Sequence, residues 1–440
     1  ELEYVKCYKY LGIEIQNNGN YREAIEMRVQ KAKVACGMIK HAISTTHNVS
    51  VKLALSLFDK QVSPILLYGS SIWSVPEINK LIIFECNHLN YQANVQAKQA
   101  INNLLQRDAN IEWSKIKRED NQVILKLCDI DDKFELLQSY KKNQTIYPFV
   151  IKDPDNFKNN DRLSEIERVH TNFCKFSLGI SKYASSVCVM NELCRYPLKY
   201  KAWSLASMYW LRLEKGTQSK LVNTAYGVCK NEKHDLYQNM YYLFCKNGLR
   251  SIWMNASSLH DNYFKCKLIN RLKDQYQQSL DDTLLNNDKY ETYKLCKTNN
   301  VGEQGIGQYL NEIHSPNIRR LFTKLRFDYT KLKGSYNNFN FNFNNKTSND
   351  RACDFCGARE SVQHFVCVCD KFSSERSSFL AKINKVVNVD INTVSSGNLL
   401  GYILNLNFPG CKTNGNSIIV DSSCSFIKKI WEMRFGVNYM

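Results

Sequence analysis

The spacing of apolar side chains changes period along the first 70 residues. Tyr4–Ile15 is rich in aromatic and β-branched residues and runs into Asn17-Asn18-Gly19-Asn20, a strand followed by a turn. Ile25, Val29, Ala32, Cys36, Ile39 and Ile43 then recur at intervals of four and three, which places them on one helical face. Arg22, Arg28, Lys31, Lys33 and Lys40 fall largely outside that stripe. A second helix is expected from Ser50, burying Val51, Leu55, Phe58 and Val62. Pro64 should end or kink it before Leu66-Leu67-Tyr68-Gly69. Helical periodicity returns strongly over 163–213, where Trp203, Ala206, Trp210 and Leu213 mark one face. Residues 214–315 keep a helical pattern but carry little legible chemistry. The Asn-rich stretch 336–350 reads as an irregular loop. The fold class expected is mainly α, with a short N-terminal β element.

Charge refines the picture. Against 42 acidic residues stand 59 Lys and Arg, a net charge of +17 that favours a polyanionic partner. The surplus is uneven, because 74–165 holds 13 basic and 14 acidic residues. We expect that neutral stretch to be an inserted, separately folded subdomain. The 17 cysteines are odd in number and scattered, so a disulfide framework is not indicated and a reducing compartment fits best. Cys36, Cys174 and Cys245 sit in apolar surroundings, where a thiol acts as a small hydrophobe. No run approaches the ~18 apolar residues of a membrane-spanning helix, and the sequons at Asn48, Asn143, Asn255 and Asn345 read as chance matches. The first residues, Glu-Leu-Glu-Tyr-Val, resemble neither a signal peptide nor an initiator segment, so the chain is expected to begin mid-protein.

The sharpest chemical signal is Cys353-Asp-Phe-Cys356 followed by His364 and Cys369. Two such pairs can close a tetrahedron around one structural Zn²⁺, and four protein ligands leave no open position for catalysis. Gly357 gives the freedom that the turn requires. Spacing alone leaves Cys367 as a competing fourth ligand. Upstream, residues 319–333 hold six bases and one acid with aromatics interleaved: Arg319, Arg320, Lys324, Arg326, Lys331 and Lys333. Phosphate contact and base stacking could share that surface. A weaker basic candidate comprises Arg168, His170, Lys175, Lys182, Arg195, Lys199 and Lys201. Asp131-Asp132 and Asp281-Asp282 lack the apolar strand context of a two-metal polymerase site and read as surface loops. Pro154-Asp155 lacks the second acid of a nuclease motif. No catalytic centre is visible.

Several segments, in order, resemble non-LTR (LINE-type) retrotransposon reverse transcriptases. Tyr10-Leu11-Gly12-Ile13 with Gly19 and the helix Ala24–Ile39 resembles the primer grip and first thumb helix. Pro64-Ile-Leu-Leu-Tyr-Gly-Ser-Ser-Ile-Trp73 resembles the next thumb segment. Ile166–His170, Phe173–Gly179 and Asn191-Glu-Leu-Cys-Arg-Tyr-Pro-Leu198 are similar to the downstream linker. Lys324-Leu-Arg326 and Arg351–Cys369 resemble the C-terminal zinc knuckle, which implies Cys369 rather than Cys367 as fourth ligand. The matches spread over about three quarters of the chain. The 74–165 stretch has no counterpart, and Cys194 stands where the family usually has Gly.

The resemblance implies an organisation. Residues 1–15 would end the palm, 16–73 form a helical thumb, and 166–335 a helical linker with the basic segment. The Asn-rich loop 336–350 would lead into a zinc knuckle and helical tail over 351–440. It implies a parent that copies RNA into DNA, with Mg bound only by the family's aromatic-Ala-Asp-Asp palm motif, which falls shortly before this chain. The fragment would grip RNA template and DNA primer or target through Arg168, Lys175, Arg195 and the 319–333 bases, with Tyr10, Leu11 and Gly12 as primer grip. An intracellular ribonucleoprotein, nuclear and cytoplasmic, with no membrane contact, is the corresponding setting. The rival reading is a stand-alone zinc-containing interaction protein derived from a decayed element.

Overall fold

The computed structural model describes residues 6–10, 13–16, 21–46, 49–74, 116–119, 122–125, 163–231, 235–297, 306–335, 351–412 and 415–436. The protein is mainly helical. By packing it divides into two compact units. One draws on residues up to Trp73, Leu163–Ser204 and Ile269–Met440; the other includes Leu205–Leu268. The boundaries fall inside the helices Leu198–Glu214 and Asp261–Leu285.

At the start of the first unit the expected single strand is two. Cys7–Tyr10 pairs antiparallel with Ile13–Gln16, with Tyr10 opposite Ile13. The helix Arg22–Thr45 follows and buries Ile25, Val29, Ala32 and Cys36, the stripe that the three-and-four spacing predicts. Ser50 caps the next helix, Val51–Leu57, its hydroxyl accepting from the Leu53 N–H at 3.1 Å. Pro64 does not end the helical path. Phe58–Val62 widens into a π turn and Pro64 falls in the first turn of Ser63–Leu67, where its missing N–H costs little. Phe58, Val62, Leu66 and Trp73 pack with Ile166, Val169 and Phe173 of the helix Ser164–Ser177 into one apolar cluster.

A larger cluster occupies the rest of this unit. It joins Leu178–Leu193, the helices Glu291–Cys296 and Pro316–Arg326, the Cys/His segment and the C-terminal helices Ser373–Asn384, Ser396–Asn405 and Asn416–Phe435. Phe379 and Phe426 stack at 4.8 Å between two of these helices. Asp281 and Asp282, expected in a loop, lie in the last turns of Asp261–Leu285. There Asp281 accepts from Gln277 one turn earlier and pairs with Lys297. That i,i+4 pairing suits an aspartate to a helix end that the sequence pattern alone did not mark.

The second unit is held by rings. Trp210 and Trp253 stack with centroids 4.0 Å apart, and Phe244 and Phe264 flank Trp210. The Trp210 indole donates to the Tyr226 hydroxyl at 2.9 Å, which donates to Glu214 at 2.7 Å. Within the stretch 74–165 the described residues before Leu163 form one hairpin, Ile116–Glu119 with Gln122–Leu125. The rest of that stretch up to Arg162, apart from Ser74, lies outside the described residues, as do the Asn-rich 336–350, the turn Asn17–Asn20, Asp131-Asp132 and Pro154-Asp155. No described helix is long and apolar enough to cross a membrane.

Candidate metal centre

The first ligand pair sits on a tight hairpin. Ala352 and Arg359 form a β-bridge, the Cys353 N–H donates to the Ala358 carbonyl at 2.7 Å, and the Gly357 N–H donates to the Cys353 carbonyl at 2.9 Å. Gly357 turns the chain with φ +74°, a region that side chains rarely enter. The second pair lies on a π turn, His364–Val368, closed by the Cys369 N–H donating to the His364 carbonyl at 2.8 Å. The wider turn lets His364 and Cys369, five apart, reach one point.

Cys353, Cys356, His364 and Cys369 place one ligand atom each within 4.8 Å of all the others. Cys353 Sγ and Cys369 Sγ are 3.9 Å apart, and Cys356 Sγ lies 3.3 Å from His364 Nε2. A tetrahedral metal with ~2.3 Å bonds to sulfur requires sulfur–sulfur edges of about 3.8 Å, so the donors fit a single ion. Cys353, His364 and Cys369 are buried, and Cys356 is exposed. Burial lowers the His364 pKa and favours the neutral imidazole, the form that ligates. Cys367 is not among the converging donors. Burial pushes its thiol up to about 12, with Cys296 among the groups near it.

Carboxylates beside the ligands latch this hairpin to two other elements. Asp354, between the first two cysteines, pairs with Lys333 and with Arg434 at 2.7 Å, and these cations hold its pKa below the usual range. Glu360 accepts from Arg434 Nε at 2.7 Å and from the Lys333 N–H at 2.7 Å. The ligand hairpin is thus tied to the last helix and to the end of the basic segment.

That segment does not present its bases to one surface. Arg326 is 1% exposed. Its Nε lies 2.9 Å from Glu192 Oε1, and it donates to the carbonyls of Cys296 at 2.9 Å and Leu404 at 3.1 Å. Burial alone would lower its pKa, but Glu192 together with Cys296, Tyr309 and Tyr293 outweighs that and raises it. Arg319 donates to the carbonyls of Ile313 at 3.1 Å and Val49 at 3.4 Å. Lys333 serves Asp354. Arg320 and Lys331 are exposed and Lys324 half-buried.

In the weaker group, Arg195 grips Asp59 with both terminal nitrogens, one at 2.6 Å, and reaches His170 Nε2 at 3.3 Å. Lys175 is buried and donates to the Lys182 carbonyl at 2.8 Å. Arg168 is exposed and paired with Glu165. Of the primer-grip residues, Tyr10 lies in the first strand, while Leu11 and Gly12 are outside the described residues. Spacing gave no hint of Glu192, the buried partner of Arg326 from 134 positions away. No protein-family model, curated protein or solved structure matches the chain.

Proposed function

We propose that the chain is a zinc-stapled, nucleic-acid-binding region of the kind that follows the polymerase palm in non-LTR retrotransposon reverse transcriptases. The observation that carries the reading is the convergence of Cys353, Cys356, His364 and Cys369 on one point, in a chain whose basic helix Pro316–Arg326 lies upstream of them. Three thiolates and an imidazole suit zinc, and four protein ligands make its role structural. When bound, zinc would hold the two ligand pairs together, and Asp354 and Glu360 would then orient Lys333 and Arg434.

The packing of the family-like segments supports the reading. Leu66, Leu67 and Trp73 share an apolar cluster with Ile166 and Val169. Glu192 of the Asn-Glu-Leu segment pairs in the core with Arg326 of the Lys-Leu-Arg segment. In such a parent the Mg-dependent copying of RNA into DNA belongs to the palm, and this region grips RNA template and DNA primer or target. Metal analysis together with a binding titration tests the proposal. One zinc per chain and salt-sensitive binding of RNA and DNA are expected. A metal content near zero, or no binding at low salt, would sink it.

A further inference from the structure

The exposed and half-exposed bases of the 319–333 segment meet a second basic loop. Arg320 lies across Gly179, which holds φ +66°; a Cβ there would overlap the Arg320 stem. Gly179 opens the loop that carries Lys182 and Tyr183. Lys175 fixes that loop by donating to the Lys182 carbonyl at 2.8 Å, and Tyr329 meets Ser181 across it. Lys324 stands one helical turn beyond Arg320. Its ammonium is destabilised first by partial burial and then by Arg320 and Lys331, so both of these cations lie within electrostatic reach of Lys324. On the Gly179 loop, within electrostatic reach of Tyr329, the Tyr183 ring is 70% exposed, with the Lys182 ammonium 5.0 Å from its centroid.

We propose that Arg320, Lys324, Lys331 and Lys182, with Tyr183, form a docking site for single-stranded nucleic acid. The cations would contact successive phosphates and Tyr183 would stack one base. A polyanion that contacts these cations releases counterions, and that release drives association. A large exposed aromatic beside such cations is of use to unstacked bases, whereas a duplex keeps its base faces covered. The proposal rests on the nucleic-acid reading above and narrows it to one surface.

The test is a fluorescence-anisotropy titration of the full chain with labelled oligouridylate and with an RNA duplex of equal length, across a salt series. Arg320→Ala/Lys324→Ala/Lys331→Ala should make the log–log salt slope less steep by about 2, at about 0.7 per phosphate contact. Lys382→Ala/Lys385→Ala/Lys428→Ala, of equal charge change elsewhere, should leave it alone. Tyr183→Ala should weaken oligouridylate binding about 5- to 150-fold, the range for losing one stacked base, while Tyr183→Phe retains it. An unchanged slope in the first triple variant, an equal loss in the second, or tighter binding of duplex than of single strands overturns this site but leaves the general reading standing. A wild-type chain that binds neither probe overturns both.

Discussion

The Cys/His hairpin and the ring cluster of Leu205–Leu268 are held closed in opposite ways. In the hairpin four donor atoms converge so that one ion could lie ~2.3 Å from each sulfur, and few spacings along a chain allow that. In the ring cluster Trp210, Phe244, Trp253 and Phe264 need only cover one another, with centroids 4.0–6.0 Å apart. Many spacings satisfy that looser condition. One region should therefore depend on a removable ion and the other on buried ring area.

Chelation should give the largest separation between them. Structural zinc is worth about 10–16 kcal/mol in small peptides. Removing it should expose 351–372 to hydrogen exchange while amides near Leu243 and Trp253 keep their protection. Cys369→Ser should reproduce the effect. Loss of protection in both regions together would mean that they do not stand independently.

The reverse perturbation is Trp210→Ala, which removes a buried ring at a cost of about 3–5 kcal/mol. Thermal or urea unfolding followed by exchange should show Leu205–Leu268 weakened. Metal content should stay as in wild type, and a fall in it would break the contrast.

Glu192→Ala should cost a similar or slightly smaller amount, about 3–5 kcal/mol, because it strands the Arg326 guanidinium in the core. Replacing both residues with Met should recover much of that loss, since the pair's desolvation disappears with it. A double variant as unstable as the single one would show that the contacts of Arg326 to Cys296 and Leu404 matter more than the charge pair. Smallest of all should be Cys367→Ser, about 1 kcal/mol or less, with metal content unchanged. Metal loss in that variant would place Cys367 in the ligand set.

The same contrast governs what the sequence could disclose. The stripe Ile25–Val29–Ala32–Cys36, the Ser50 cap and the Cys/His pairs were legible because each is a local pattern with a fixed period or spacing. At Pro64 the sequence left an end or a kink open, and the helical path runs on through a π turn just before it. The division of the 319–333 bases was hidden, since Arg326 and Arg320 look alike in a basic run. What separates them is Glu192 in the one case and Gly179 in the other, both more than a hundred residues upstream. The ring cluster is harder to read, because its members come from four helices and of them only Trp210 stands on a face that periodicity marks.

The Arg326 cage also has a temporal side. Its contacts reach back 134 residues to Glu192 and forward 78 to Leu404. On a ribosome adding roughly 5–20 residues per second, Glu192 waits about 7–27 s before Arg326 is even made. The guanidinium then waits several more seconds for its last carbonyl. Closure of this core is therefore a late, high-contact-order event. Through that interval the nascent chain carries the Glu192 carboxylate beside Leu193 without its guanidinium, and this stretch is where a chaperone has most to protect.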